Sequence, residues 1–199
     1  MNQFITNREI YEKVICGLVP QARKRLWIAT ADIKDMYVAA FGGEMVPFLG
    51  LLDRLLVRGV DIRLIHAKEP GPNFREDFDR YPRLWNQMER VLCPRVHFKC
   101  IIADGAKAYF GSANLTGAGL GPKADSRRNF ENGLLTDEPS IVEPLCEQFD
   151  SAWRGACVPD RSASWRARGR RRVRSSDPPN SSGRPPHGCP CGRMRDRPW

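Results

Sequence analysis

Histidine is scarce in this chain: three residues in 199, at His66, His97 and His187. An obvious cluster of carboxylates that would argue for a metal site is also lacking. Long apolar runs are missing as well. No stretch of about 20 apolar residues exists, so no helix is expected to span a membrane. The opening Met1-Asn2-Gln3-Phe4 leads into polar residues rather than an apolar run, which reads against a secretory signal. The seven cysteines are an odd number and scattered. Cys16, Cys93, Cys100 and Cys146 sit among apolar residues and read as small buried hydrophobes. A reducing, cytoplasmic location is the expectation. An even spread of positive charge is also lacking. The formal charge is +9, but residues 1–159 hold 21 Lys and Arg against 20 Asp and Glu, whereas residues 160–199 hold 11 against 3. The basicity belongs to the tail.

What is present reads as alternating helices and strands. Residues 7–22 carry a rough apolar stripe through Ile10, Val14, Leu18 and Val19, with Asn7 placed to cap it. Residues 25–31 are a strand apolar on both faces, as in a covered sheet. Residues 44–57 repeat Met45, Phe48, Leu49, Leu52, Leu55 and Leu56 at helical spacing, with Pro47 expected in the first turn. A strand follows at 60–67, a turn region at 69–74, and a helix over 75–90 broken near Pro82. Residues 95–104 and 107–111 flank Asp104-Gly105, a hairpin signal. A strand is expected near 130–135 and a closing helix over 138–154. The order predicts an α/β class with layered helices and sheet. Two regions are expected, 1–158 folded and 159–199 rich in Arg, Pro and Ser, too polar to bury a core. In that tail, Arg166 to Arg174 would serve as a solubilising segment or a nucleic-acid arm. His187, Cys189 and Cys191 do not have zinc spacing.

The chemistry concentrates between His97 and Asn114. His97 and Lys99 alternate along one expected strand and so share a face, while Phe98 and Cys100 face the core. The hairpin returns Gly111-Ser112-Ala113-Asn114 to the same neighbourhood. A nucleophile, a fixed cation, a hydroxyl and an amide near one point suit a phosphoryl group. His66 has no such companions and reads as a satisfied core or surface residue.

The spacing His97-Phe98-Lys99, four residues, Asp104, six residues, Gly111-Ser112-Ala113-Asn114 resembles the single active-site motif of the phospholipase D-like phosphodiesterases. Glu131, in Arg128-Asn129-Phe130-Glu131, falls where that family keeps a carboxylate. The resemblance covers the chain from residue 7 to about 155. It implies an α-β-α sandwich with a mixed central sheet, one repeat per chain. It also implies roles: His97 as a nucleophile forming a phosphohistidine, Glu131 holding the other ring nitrogen, Lys99 and Asn114 on the phosphate oxygens, Ser112 in support. Asp104 would be structural or electrostatic, near the lysine and the turn. The resemblance also implies that no metal and no cofactor is needed. The family mechanism needs two histidines across one phosphate, and neither His66 nor His187 lies in a motif. A homodimer with the site at its two-fold interface is the expected solution. The glycine-rich stretch Leu115 to Gly121 reads as a flexible loop. By resemblance the substrate would be a phosphodiester of DNA or RNA. A phospholipid diester is the alternative, and a non-catalytic binding module that retains the fold is the third reading.

Overall fold

The computed structural model describes residues 1–34, 36–39 and 43–155. The readings made above for the basic tail and for His187, Cys189 and Cys191 lie outside these residues.

A seven-stranded mixed sheet forms the centre, in the order β1-β9-β8-β7-β2-β5-β6. Its strands are β1 (Asn2–Thr6), β2 (Arg25–Thr30), β5 (Asp61–His66), β6 (Glu89–Leu92), β7 (Lys99–Ala103), β8 (Lys107–Gly111) and β9 (Asn132–Thr136). Strands β2, β5 and β6 run parallel, and the remaining pairs are antiparallel. A separate hairpin pairs β3 (Tyr37–Ala39) with β4 (Met45–Pro47). The helical segment 8–21 and the helix Phe48–Val57 bury Ile10, Val14, Ile15, Leu49, Leu52 and Leu55 in one core. The helix Pro139–Arg154 buries Val142, Phe149 and Trp153 in a second core, built on Ala29, Ile65, Cys100 and Ile102. Adjacent strand residues such as Ile101 and Ile102 divide between the two cores, as a period of two requires. Two helical layers around one mixed sheet make the α-β-α sandwich expected from the sequence, with one repeat.

Several boundaries differ from the sequence reading, each for a local reason. The first strand, β1, was missed because Phe4 and Ile5 offer too short an alternation; it is defined by pairing with β9. The helix expected from residue 44 starts at Phe48. Pro47 sits at its N-cap with extended backbone, and a proline pushes the residue before it out of the helical region. The helix expected over 75–90 resolves into Pro72–Asp79 and Pro82–Gln87, after which Glu89–Leu92 joins β5 as a parallel edge strand. The strand expected from residue 95 begins at Lys99, because a turn at Pro94 and Arg95 uses up the approach. Cys93 and Cys100 are buried in the second core, Cys16 and Cys146 are partly buried against the cores, and Cys16, Cys100 and Cys146 are free. No helix among the described residues is long and apolar enough to cross a membrane.

Candidate phosphoryl-binding site

The register puts the site at one end of the sheet. Lys99 pairs with Gly111, and Gly111 pairs with Gly133, so the start of β7, the end of β8 and the start of β9 lie in one row. Thr30, one step past the pair Ala29 and Cys100, continues the row across β2. His97 lies two residues before the ladder begins and is exposed. Its extended approach still puts it on the side of Lys99, as alternation required, and Phe98 packs toward the other core.

Lys99 is only 9% exposed. Its ammonium donates to the His97 carbonyl at 2.6 Å and lies 3.4 Å from His97 Nδ1. Among the described residues no carboxylate lies within salt-bridge distance of it. A buried cation without a counter-charge carries a large desolvation cost, and an anion is what offsets such a cost.

Ser112 follows β8 and is exposed. Its hydroxyl donates to the Glu131 carboxylate and accepts the Asn132 backbone N–H at 3.0 Å. Glu131 also accepts from Asn129 Nδ2 at 3.1 Å. Its backbone is fixed by Asn7, which accepts the Glu131 N–H at 3.0 Å through its side chain and donates its own N–H to the Glu131 carbonyl at 2.9 Å. Asn114 Oδ1 accepts the Asp32 backbone N–H at 3.1 Å. The Asn114 NH2 has no hydrogen-bond partner among the described residues.

His97, Lys99, Ser112, Asn114 and Glu131 are thus supplied by neighbouring strand ends. Two placements differ from expectation. The Glu131 carboxylate is taken by Ser112 and Asn129, while the His97 ring faces Lys99. Asp104 is not brought to the cluster at all. It sits at the far end of β7 with φ 58°, and its carboxylate accepts the backbone N–H groups of Arg23, Lys24 and Arg25 at 2.7 to 3.2 Å. Partial burial pushes its pKa up, but those three donors outweigh burial and hold it below the ordinary carboxylate value. Its structural role fits the sequence reading; its placement near Lys99 does not.

Several supporting residues carry no local sequence signal. Arg128 gathers the carbonyls of Gly119, Gly121 and Asn7, so the stretch 115–121 is stapled rather than loose. Gly119 packs so closely on Asn114 that a Cβ would come within 2.5 Å of the Asn114 carbonyl. Tyr109, 1% exposed, threads beneath Gly111 and Gly133, where a Cβ would strike its ring or hydroxyl. Burial raises the pKa of its hydroxyl, outweighing the Ala113 backbone beside it. His66 is fully buried. Its Nδ1 donates to the Lys68 carbonyl at 2.8 Å, which leaves Nε2 unprotonated and without a hydrogen-bond partner among the described residues. Burial lowers its pKa to about 4, against the Lys68 bond and with the Arg90 charge adding to the effect. The described residues hold no group of three or more His, Cys, Asp or Glu arranged for a metal.

The model of a family described as "Cardiolipin synthase, PLD-like domain" matches residues 15–153, which span the whole site. The chain belongs to the phospholipase D-like superfamily. Phosphodiesterase chemistry in general comes with that membership. No curated protein matches by sequence. Among solved structures, the phospholipase D family member Nuc from Salmonella typhimurium is similar over 77% of this chain and 93% of its own, at 16% identity and TM-score 0.56. NucT from Helicobacter pylori is similar over 77% and 95%, at 16% identity and TM-score 0.54. The phosphatidylserine synthase of Haemophilus influenzae Rd KW20 is similar over 77% of this chain but 38% of its own, at 17% identity and TM-score 0.52. At these identities the likenesses concern the fold of this phospholipase D-like domain.

Proposed function

We propose that the chain is a metal-independent phosphodiester hydrolase acting on DNA or RNA through a phosphohistidine at His97. The observation that carries this reading is the buried Lys99 ammonium, without a carboxylate, against an exposed imidazole. A phosphodiester supplies the missing negative charge. Lys99 and the Asn114 NH2 bind its non-bridging oxygens, and Ser112 supports them from the turn.

The nucleophile is His97 Nε2. Its lone pair forms the phosphorus–nitrogen bond as the phosphorus–oxygen bond to the leaving group breaks. Attack through Nε2 requires the proton on Nδ1, and an ammonium cannot accept it. In this reading the phosphate claims Lys99, and the ring turns so that Nδ1–H donates to Glu131. The leaving oxygen needs a proton, and water must later lose one. His66 cannot serve, because it is buried from solvent. His97 of a second copy fills both roles, so the active species is a homodimer with the site at its two-fold interface.

In domain size the chain is like Nuc and NucT, of whose chains the similarity covers 93% and 95%, and nucleic acid is favoured by a further likeness. The archaeal chromatin protein TrmBL2, described with a mode of DNA binding, is similar over 76% of this chain and 51% of its own, at 12% identity and TM-score 0.51. The family description favours a second reading, a phospholipase D-type lipid phosphodiesterase or transphosphatidylase. The test is turnover of bis(p-nitrophenyl) phosphate in EDTA, with plasmid DNA, RNA and phosphatidylcholine in parallel. The first reading expects turnover by the dimer fraction, lost in His97→Ala, with nucleic acid cut fastest. A folded dimer inert on all four overturns it, and fastest turnover of the lipid selects the second.

A further inference from the structure

We infer that Thr30 is a positioning residue for phosphate binding that acts through Asn114; the inference rests on the phosphodiesterase reading above. Thr30 ends β2, is 1% exposed, and shares the sheet row of Lys99. Its hydroxyl donates to the Asp32 carbonyl at 2.7 Å and accepts the Leu115 N–H at 3.0 Å. These bonds join the segment leaving β2 to the segment following β8. Lys34 N–H donates to the Leu115 carbonyl at 2.9 Å and completes the seam. Asn114 sits inside it, with Oδ1 on the Asp32 N–H and 3.4 Å from the Thr30 hydroxyl.

The seam decides which way the Asn114 amide faces. A backbone N–H only donates, so the group opposite Asp32 must be the amide oxygen. The NH2 then faces away from Asp32 and is left as a donor for an anion. Reversing the amide would put an oxygen toward a phosphate and two donors toward an N–H, unfavourable at both ends. Thr30 keeps Asp32 and Leu115 at the separation that holds this orientation. Its β-branched side chain has few rotamers, so the hydroxyl is fixed before a ligand arrives. Neither Thr30 nor Asp32 belongs to the motif, and nothing in the local sequence distinguishes Thr30 from an ordinary strand residue.

The test is a double-mutant cycle on the full chain with Thr30→Val, Thr30→Ser, Asn114→Ala and Thr30→Val/Asn114→Ala. It is read as affinity for inorganic phosphate by titration calorimetry and as turnover of bis(p-nitrophenyl) phosphate. Thr30→Val is expected to weaken phosphate binding about tenfold, in line with one lost hydrogen-bonding group. Thr30→Ser, which keeps the hydroxyl, is expected to restore it to within about threefold. In the Asn114→Ala background, Thr30→Val should add almost nothing, because the amide it orients is gone. Additive losses in the double variant overturn the inference, as does unchanged phosphate affinity in Thr30→Val or failure of serine to rescue. Phosphate binding needs no turnover. A chain that binds phosphate and responds to Thr30→Val, yet turns over nothing, would sink the hydrolase reading and leave the positioning role standing.

Discussion

The two ends of β7 hold parts of one motif in opposite electrostatic conditions. At the Asp104 end a carboxylate is matched by three backbone N–H donors and nothing is left over. At the Lys99 end a buried ammonium has a carbonyl and an imidazole edge but no carboxylate within ion-pair distance among the described residues. The first arrangement is complete in the isolated chain and stabilises the fold. The second leaves a buried cation whose desolvation an anion would offset. The comparison separates the part of the motif that builds the domain from the part that is left for chemistry.

The sharpest way to break it is at the unsatisfied end. His97→Ala should lower turnover by at least about 10³-fold with the thermal midpoint almost unchanged, because the ring is exposed and outside the ladder. Loss of folding together with activity would contradict the division. Lys99→Met should cost about 10² to 10³ in kcat/KM. The same change should leave stability equal or higher, since a buried charge is replaced by an apolar chain of similar length. A strongly destabilised Lys99→Met would mean that Lys99 serves the fold. At the satisfied end the pattern should invert. Asp104→Ala leaves three donors without their acceptor and should destabilise by about 1 to 3 kcal/mol in a urea titration, with kcat within a few-fold. Because the Asp104 pKa is depressed in the folded chain, its contribution is present above the unfolded value and fades as pH falls through the folded one.

An effect confined to acid pH concerns His66, which has the burial of one end and the missing partner of the other. Its folded pKa of about 4 lies below the unfolded value near 6.5. Above pH 6.5 it contributes no pH dependence. As pH falls from 6.5 toward 4 the unfolded chain takes up a proton that the folded chain refuses, and stability drops, by something of the order of 3 kcal/mol. His66→Gln should flatten that part of the stability profile and leave turnover at pH 7.5 alone. An unchanged profile would show that His66 is not buried as described.

The motif was legible because it is local in sequence: His97, Lys99, Ser112 and Asn114 lie on or beside two strands of one hairpin, and the turn at Asp104-Gly105 fixes their register. The helices were legible where their apolar stripes were long, as in Pro139–Arg154. What could not be read depended on distant partners. Asn7 meets Glu131, Thr30 meets Leu115, and Arg128 meets Asn7, each across more than 80 residues of chain. Asp104 looked like a neighbour of Lys99 by spacing, but a strand carries its two ends apart. Strand β6 has no pattern of its own and exists because β5 offers an open parallel edge.

The position of His97 two residues outside the ladder also has a consequence in time. From Cys100 to Ala103 the backbone is locked between β2 and β8, with Lys99 paired to β8 alone, and its amides can exchange with solvent only when the sheet opens. At His97 and Phe98 no ladder holds the backbone, so a change in ring orientation can be accommodated there without breaking a sheet hydrogen bond. Amide exchange along this one segment should therefore step from fast to slow within about two residues, at the point where the proposed nucleophile ends and the scaffold begins.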